Sequence, residues 1–226
     1  MVGNKGLNNA SKAKNDEFYT RIADIERECL HYREHFKDKV VFCNCDDPDT
    51  SDFWRYFHIA FGVLGLKKLI AAHFVYMDLF TPGETYKIEY EGGDDGDFNI
   101  GKRTTLEQNG DFRSFECIEL LKEADIVVTN PPFSLFREYV SQLIKYDKKF
   151  LIISHQNAIT YKEIFKLIRD NKVWLGYNNF DNSRFIMPSY YDIEASKYAY
   201  EENGVKYGRV SGLRWFTNLE IKKRLE

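Results

Sequence analysis

The sequence predicts an α/β fold: a mostly parallel sheet with helices on both faces, an inserted β-hairpin and an antiparallel strand at one end. Two observations carry this expectation. Short apolar runs alternate with helix-length segments along most of the chain, the pattern of parallel strands joined by crossover helices. Three polar clusters then follow such segments, "CNCDDP" (43–48), "NGDF" (109–112) and "TNPPF" (129–133). In an open parallel sheet, ligands bind outside the carboxyl ends of the strands.

The elements follow in order. Residues 1–14, rich in Asn, Lys, Gly and Ser without an apolar period, predict a flexible arm, and residues 15–226 one domain. Ile22, Ile25, Cys29, Tyr32 and Phe36 recur at helical spacing, and "KVVFCNC" (39–45) reads as a short buried strand. Thr50 or Ser51 can cap a helix whose Phe53, Phe57, Phe61 and Leu64 share one face; "GLKKLIAAHFVYM" (65–77) supplies a second strand and completes a βαβ opening. From 81 to 109 the stretch containing "ETYKIEYEGGDDGDFNIGK" alternates apolar and polar residues about a Gly/Asp turn, which predicts the hairpin. Alternation resumes with a helix at 114–123, strand "DIVVTN", a helix at 135–146, strand "KKFLIIS", a helix at 160–170 and strand "KVWLGY". "RFIMP" and "GLRWFTNL" read as further strands, able to pair antiparallel.

Composition limits the function. With 226 residues, 43% hydrophobic and 16% aromatic, the chain can bury a full core. A net charge of -3 excludes a globally basic nucleic-acid binder, so any contact with DNA must be local or shared with a partner chain. Four cysteines are too few for a disulfide scaffold, and the N-terminus lacks the apolar segment of a signal peptide, which predicts a cytoplasmic protein. No membrane span is expected, because "IAFGVLGL" meets Lys67 and Lys68 far short of bilayer thickness. Cys43 and Cys45 share a strand face, but no nearby Cys or His pair completes a ligand set, so no metal is expected.

"TNPPF" is the segment that demands chemistry. Two prolines cannot donate to a sheet ladder, so the strand stops and the backbone leaves in a rigid, extended form. A conjugated amine is a poor nucleophile because its lone pair is delocalised into the ring, and acceptors on its two hydrogens would localise that pair. The Asn130 side-chain oxygen and the Pro131 carbonyl can be those acceptors, held in direction by Pro131 and Pro132, while Phe133 can stack on a flipped-out base. A nucleoside-shaped cofactor with an amino-acid arm would use acidic groups at the neighbouring strand ends. S-adenosyl-L-methionine fits that description.

Four motifs in this order, "NDEFYT" (15–20), "CNCDDPDTSDFWRYF" (43–57), "TNPPF" and "WFTNLE" (215–220), give the sequence its resemblance to adenine-specific DNA methyltransferases of the EcoRI modification-methylase family. The resemblance runs from Asn15 to about Glu220. It implies a Rossmann-like methyltransferase fold and transfer of a methyl group from S-adenosylmethionine to the N6 amine of adenine in double-stranded DNA, in a restriction-modification setting. By the same resemblance Tyr19, Thr20, Asn44, Cys45, Asp46 and Asp47 form the cofactor pocket, with Asp111 near the cofactor adenine. Asn130 to Phe133 form the catalytic loop, and Asn130 also borders the cofactor. Two features depart from the general pattern: "FCNCDDP" has no glycine, and Asp78 falls late for an acid that would hold ribose hydroxyls. The family usually extends beyond a point like "KKRLE" into a region that helps choose the DNA sequence, so the chain reads as truncated there.

Rival interpretations exist at each step. "NPPF" alone can be only a turn, Asp46 and Asp47 can merely cap the next helix, the Asp111 segment can be an ordinary loop, and His155 can be structural. At the level of function, one rival is a methyltransferase acting on a protein glutamine amide. Another is a remnant that binds cofactor or DNA with little or no turnover.

Overall fold

The computed structural model describes residues 20–45, 47–74, 84–93, 101–181, 183–187 and 199–222. The proposed arm, Tyr19, Asp46, Asp78 and the hairpin turn at 94–100 lie outside the described residues.

The chain opens with helix α1 (Ile22–Cys29), a 3-10 turn at Leu30–Tyr32 and a short α2 (Arg33–Phe36), so the apolar stripe predicted as one helix is carried by a segmented one. Strand β1 (Val40–Cys43) leads through a loop to α3 (Asp52–Ile59) and α4 (Phe61–Leu64), then to β2 (Lys68–Ala72). Ser51 caps α3, its side chain accepting from the Phe53 amide. The hairpin follows as β3 (Tyr86–Tyr90) and β4 (Lys102–Thr105). Next come α5 (Phe115–Glu123), β5 (Ile126–Thr129), a 3-10 turn at Phe133–Leu135, α6 (Phe136–Lys145), β6 (Lys149–His155), α7 (Lys162–Arg169) and β7 (Trp174–Asn179). The chain then forms β8 (Phe185–Met187), β9 (Tyr200–Glu202), β10 (Val205–Gly208) and β11 (Leu213–Thr217).

Eight strands make the main sheet in the order β4-β3-β2-β1-β5-β6-β11-β7. Its centre, β2-β1-β5-β6, is parallel. The residues of the central strands divide by period two. Val41 and Cys43 of β1 and Leu151 and Ile153 of β6 face one core with Phe53, Phe57 and Trp215. Val40 and Phe42, with Phe150 and Ile152, face the other with Leu121, Phe136 and Tyr139. Burial on both faces is why these strands read as unbroken apolar runs.

The sequence places antiparallel pairing at one end of the sheet, whereas the structure has it at both. β11 pairs antiparallel with β6 and β7, as its apolar pattern allows. The inserted hairpin also joins the main sheet, β3 pairing antiparallel with β2 through Leu69↔Tyr90 to Ala72↔Lys87. Tyr86, Ile88 and Tyr90 supply a buried face that would otherwise meet water, so the hairpin extends the sheet. "RFIMP" belongs elsewhere: β8 pairs with β10 in a separate sheet of order β8-β10-β9.

Candidate cofactor and catalytic site

The carboxyl ends of β1, β2 and β5 define the site. β1 and β5 are direct neighbours, with Phe42 paired to Val127, so continuing the register by two residues sets Asn44 level with Thr129. The loops that leave these strands therefore emerge side by side.

The loop after β1 is organised by Asp47. Its carboxylate accepts from the Asp49 amide at 3.0 Å and the Thr50 hydroxyl at 3.3 Å, while its carbonyl accepts from the Ser51 amide at 2.7 Å. Asp47 thus builds the turn and leaves helix capping to Ser51, which corrects the simple capping alternative. The hairpin braces the same loop. Tyr86 Oη donates to Asp49 Oδ2 at 2.9 Å and lies 3.3 Å from Asp47 Oδ1, and the Arg103 guanidinium pairs with Asp49 while lying over the Tyr86 ring at 4.4 Å. Hydrogen bonding from Arg103 holds the Asp49 carboxyl below its ordinary pKa. Arg103 lies outside the sequence motifs, and Asp49, although inside the 43–57 motif, has no role assigned by it.

Two residues assigned to the pocket by resemblance carry buried polar atoms whose hydrogen-bonding capacity is unused. Asn44 is 2% exposed, and its Nδ2 has no hydrogen-bond partner; Thr20 is 4% exposed, and its Oγ1 has none. Unmet buried groups of this kind are costly unless a ligand satisfies them, so Thr20 and Asn44 fit a cofactor rich in donors and acceptors. The start of α1 is tied to this region, the Ile22 amide donating to Asp52 Oδ2 at 2.9 Å. Cys45, next in the loop, is half-buried and its thiol donates to Asn44 Oδ1.

The 109–112 segment packs against the end of β2. Gly110 has φ +72°, and a Cβ there would lie 2.1 Å from the His73 carbonyl oxygen, so only glycine permits this approach. The buried Cys117 thiol, its pKa pushed up to about 11 chiefly by burial, donates to the Gly110 carbonyl at 3.4 Å. Asp111 is clasped by Arg113, whose Nε and backbone amide reach Oδ1 at 2.8 Å and whose Nη2 reaches Oδ2 at 2.6 Å. Burial alone would raise the Asp111 carboxyl, but the Arg113 bonds and charge hold it below its usual range. An approaching ligand must share Asp111 with that arginine.

After β5 the chain passes through Asn130, Pro131 and Pro132 into the 3-10 turn and α6. Asn130 Oδ1 is shielded from solvent, Pro131 is buried, and Phe133 is half-buried against the core that contains Val41 and Cys43. Helix α6 then reaches back across the site. Tyr139 Oη donates to Asn44 Oδ1, its ring meets Phe112 edge-on at 5.0 Å, and Gln142 Nε2 donates to the Phe112 carbonyl at 2.8 Å. Tyr139 was not foreseen as a site residue; the available signal was a hydroxyl on the otherwise apolar stripe Phe136, Tyr139, Val140 and Leu143. His155, at the end of β6, accepts the Asn157 amide on Nδ1 and so caps a 3-10 turn.

A parallel sheet that ends in an Asn-Pro-Pro-aromatic loop beside polar β1 and β2 termini defines a Rossmann-like methyltransferase. The adenine-specific methyltransferase EcoRI family matches residues 6–226, and the chain belongs to that family. It is 50% identical to the Type II methyltransferase M.EcoRI of Escherichia coli, over 96% of this chain and 69% of that protein. It is 41% identical to Type II methyltransferase M.MpnI of Mycoplasma pneumoniae and 40% identical to M.MgeORF184P of Mycoplasma genitalium, over 95% and 94% of this chain and 64% of each relative. No solved structure matches the chain. Among the described residues, no helix is long and apolar enough to cross a membrane.

Proposed function

We propose that the chain transfers a methyl group from S-adenosylmethionine to the N6 amine of adenine in double-stranded DNA. The observation that carries this reading is the adjacency of the Asn130–Phe133 loop to the β1 terminus, where Asn44 holds an unmet buried donor. The cofactor, when bound, supplies an electrophilic methyl group. Asn130 Oδ1 and the Pro131 carbonyl accept from the two amine hydrogens, which localises the lone pair and strengthens both hydrogen bonds as positive charge develops on nitrogen. Phe133 offers a flat face to the extruded base. Transfer of radiolabel from the cofactor to duplex DNA, recovered as N6-methyladenine, tests the reading. Label recovered only in a protein glutamine amide, or no label in any acceptor, overturns it.

Asp47→Ala is expected to raise the Kd for S-adenosylmethionine measured by calorimetry, with a loss of about 1 kcal/mol in stability from the hydrogen bonds of the broken turn. An unchanged Kd alongside that small loss would make Asp47 a turn residue only.

DNA binding by this chain is expected to be weak and steeply salt-dependent. Lys206, Arg209, Arg214 and Lys222 gather near the end of an acidic chain, with Lys223 and Arg224 outside the described residues. Asp181 engages two of these cations: Arg214 Nη1 lies 3.0 Å from Oδ1, and Arg209 Nη2 donates to the carbonyl at 2.6 Å. Phosphate contacts of this kind release counterions without reading bases. Titrations at several salt concentrations check this, and tight sequence-selective binding at physiological salt would refute it.

A further inference from the structure

We propose that Tyr139 is a positioning residue that sets the orientation of the Asn44 amide, so that Asn44 Nδ2 donates to an acceptor atom of S-adenosylmethionine. This rests on the cofactor reading above and assigns a direction to one of its contacts. Three observations combine. Asn44 is buried at the end of β1, where its Oδ1 is taken by the Tyr139 hydroxyl and the Cys45 thiol. Both donate to Oδ1, and Tyr139 is 1% exposed, so its bond to Asn44 is made inside the core. With Oδ1 taken by these two contacts, the amide is held in the orientation that directs Nδ2 away from them. In that orientation Nδ2 is buried and has no acceptor. Native interiors seldom leave such a donor unmet, and a bound acceptor satisfies it.

The position of Tyr139 matters as much as its hydroxyl. It lies one turn into α6, the helix that follows the Asn130–Phe133 loop through the 3-10 turn at Phe133–Leu135. The face of α6 that presents Tyr139 to Asn44 also holds the 109–112 segment, through the Phe112 ring and the Gln142 bond to its carbonyl. One helix thus fixes the β1 loop and the 109–112 segment to the element that leads out of the catalytic loop. A cofactor bound at Asn44 is thereby registered against Asn130.

Two variants separate positioning from packing. Tyr139→Phe keeps the ring against Phe112 and removes only the hydroxyl. Asn44→Asp keeps an acceptor for Tyr139 and removes the Nδ2 donor. Calorimetry with S-adenosylmethionine is the readout, with circular dichroism and melting of the cofactor-free proteins as the control for folding. Tyr139→Phe is expected to raise Kd about tenfold, or about 1.4 kcal/mol, and Asn44→Asp more than that, with correspondingly smaller cofactor-induced rises in Tm. A folded Tyr139→Phe protein with wild-type Kd overturns the positioning role, and this variant decides the matter if Asn44→Asp does not fold. Wild-type Kd in a folded Asn44→Asp protein overturns the donor assignment. If the wild-type chain itself gives no binding heat at any temperature tried and no Tm shift, the cofactor reading fails, and this inference with it.

Discussion

Asn130→Ala is expected to lower kcat by about 100-fold or more while leaving the Kd for S-adenosylmethionine nearly unchanged. The reason is where the interaction strengthens. An acceptor on an amine hydrogen gains most when nitrogen becomes positive, so its loss falls on the transition state and spares the ground state. The side-chain oxygen is already shielded from solvent at the end of β5, and the two prolines that follow limit reorientation, so little reorganisation is left to the reacting complex. Asn130→Asp keeps the size and an acceptor oxygen and is expected to retain more activity than the Ala variant. Phe133→Ala is expected to weaken engagement of the base, with Tyr or Trp largely tolerated because stacking needs only a flat face. Single-turnover methylation of duplex DNA, alongside calorimetry with the cofactor, separates these effects. An undiminished rate in a correctly folded Asn130→Ala protein would reduce the loop to a turn.

The parts of the fold that were legible are those where one local pattern has one outcome. β1, β5 and β6 are short apolar runs because both faces of a central parallel strand are covered, and β3 alternates because only one of its faces is. The "TNPPF" loop was legible because proline chemistry ends a strand wherever it occurs. What stayed hidden depends on distant partners. The Asn44–Tyr139 bond spans 95 positions, and the Arg103–Asp49 pair 54, so no periodicity reports them. β9 and β10 were hidden for a different reason. Asn203 and Gly204 adopt φ 52° and 77° and form the Asn-Gly turn that most strongly signals a hairpin, but the strands beside it are short and mostly charged or half-exposed.

Glu28→Ala is expected to cost about 3 kcal/mol or more in stability, lowering Tm by on the order of 10 °C in a chain of this size. Glu28 lies on the same stripe of α1 as Ile25 and Cys29 and is fully buried, which is rare for a carboxylate without dedicated partners. It has them. Oε1 accepts from the Tyr32 hydroxyl at 3.0 Å and the Tyr177 amide at 2.8 Å, and Oε2 from the Asn178 amide at 2.8 Å and its Nδ2 at 2.9 Å. These backbone amides belong to the edge strand β7, beside the point where its register with β11 shifts between Arg214 and Phe216. The carboxylate therefore takes over donors from a strand whose ladder is interrupted, and pins β7 to α1. Gly176 makes room for it, since a Cβ there would lie 2.2 Å from Glu28 Oε1 and 2.8 Å from Trp215 Cβ. Removing the carboxylate takes the acceptor from the buried Tyr32 hydroxyl on the helical side and from the part-buried Tyr177 and Asn178 amides on β7, a larger loss than that of an exposed ion pair. Glu28→Gln keeps the volume but sets an amide NH2 against donors, so it is expected to cost about 1–3 kcal/mol, less than Ala yet clearly measurable. Thermal and urea melts of the three proteins check the order, and a Glu28→Ala chain as stable as wild type would mean that β7 is held by its pairing with β11 alone.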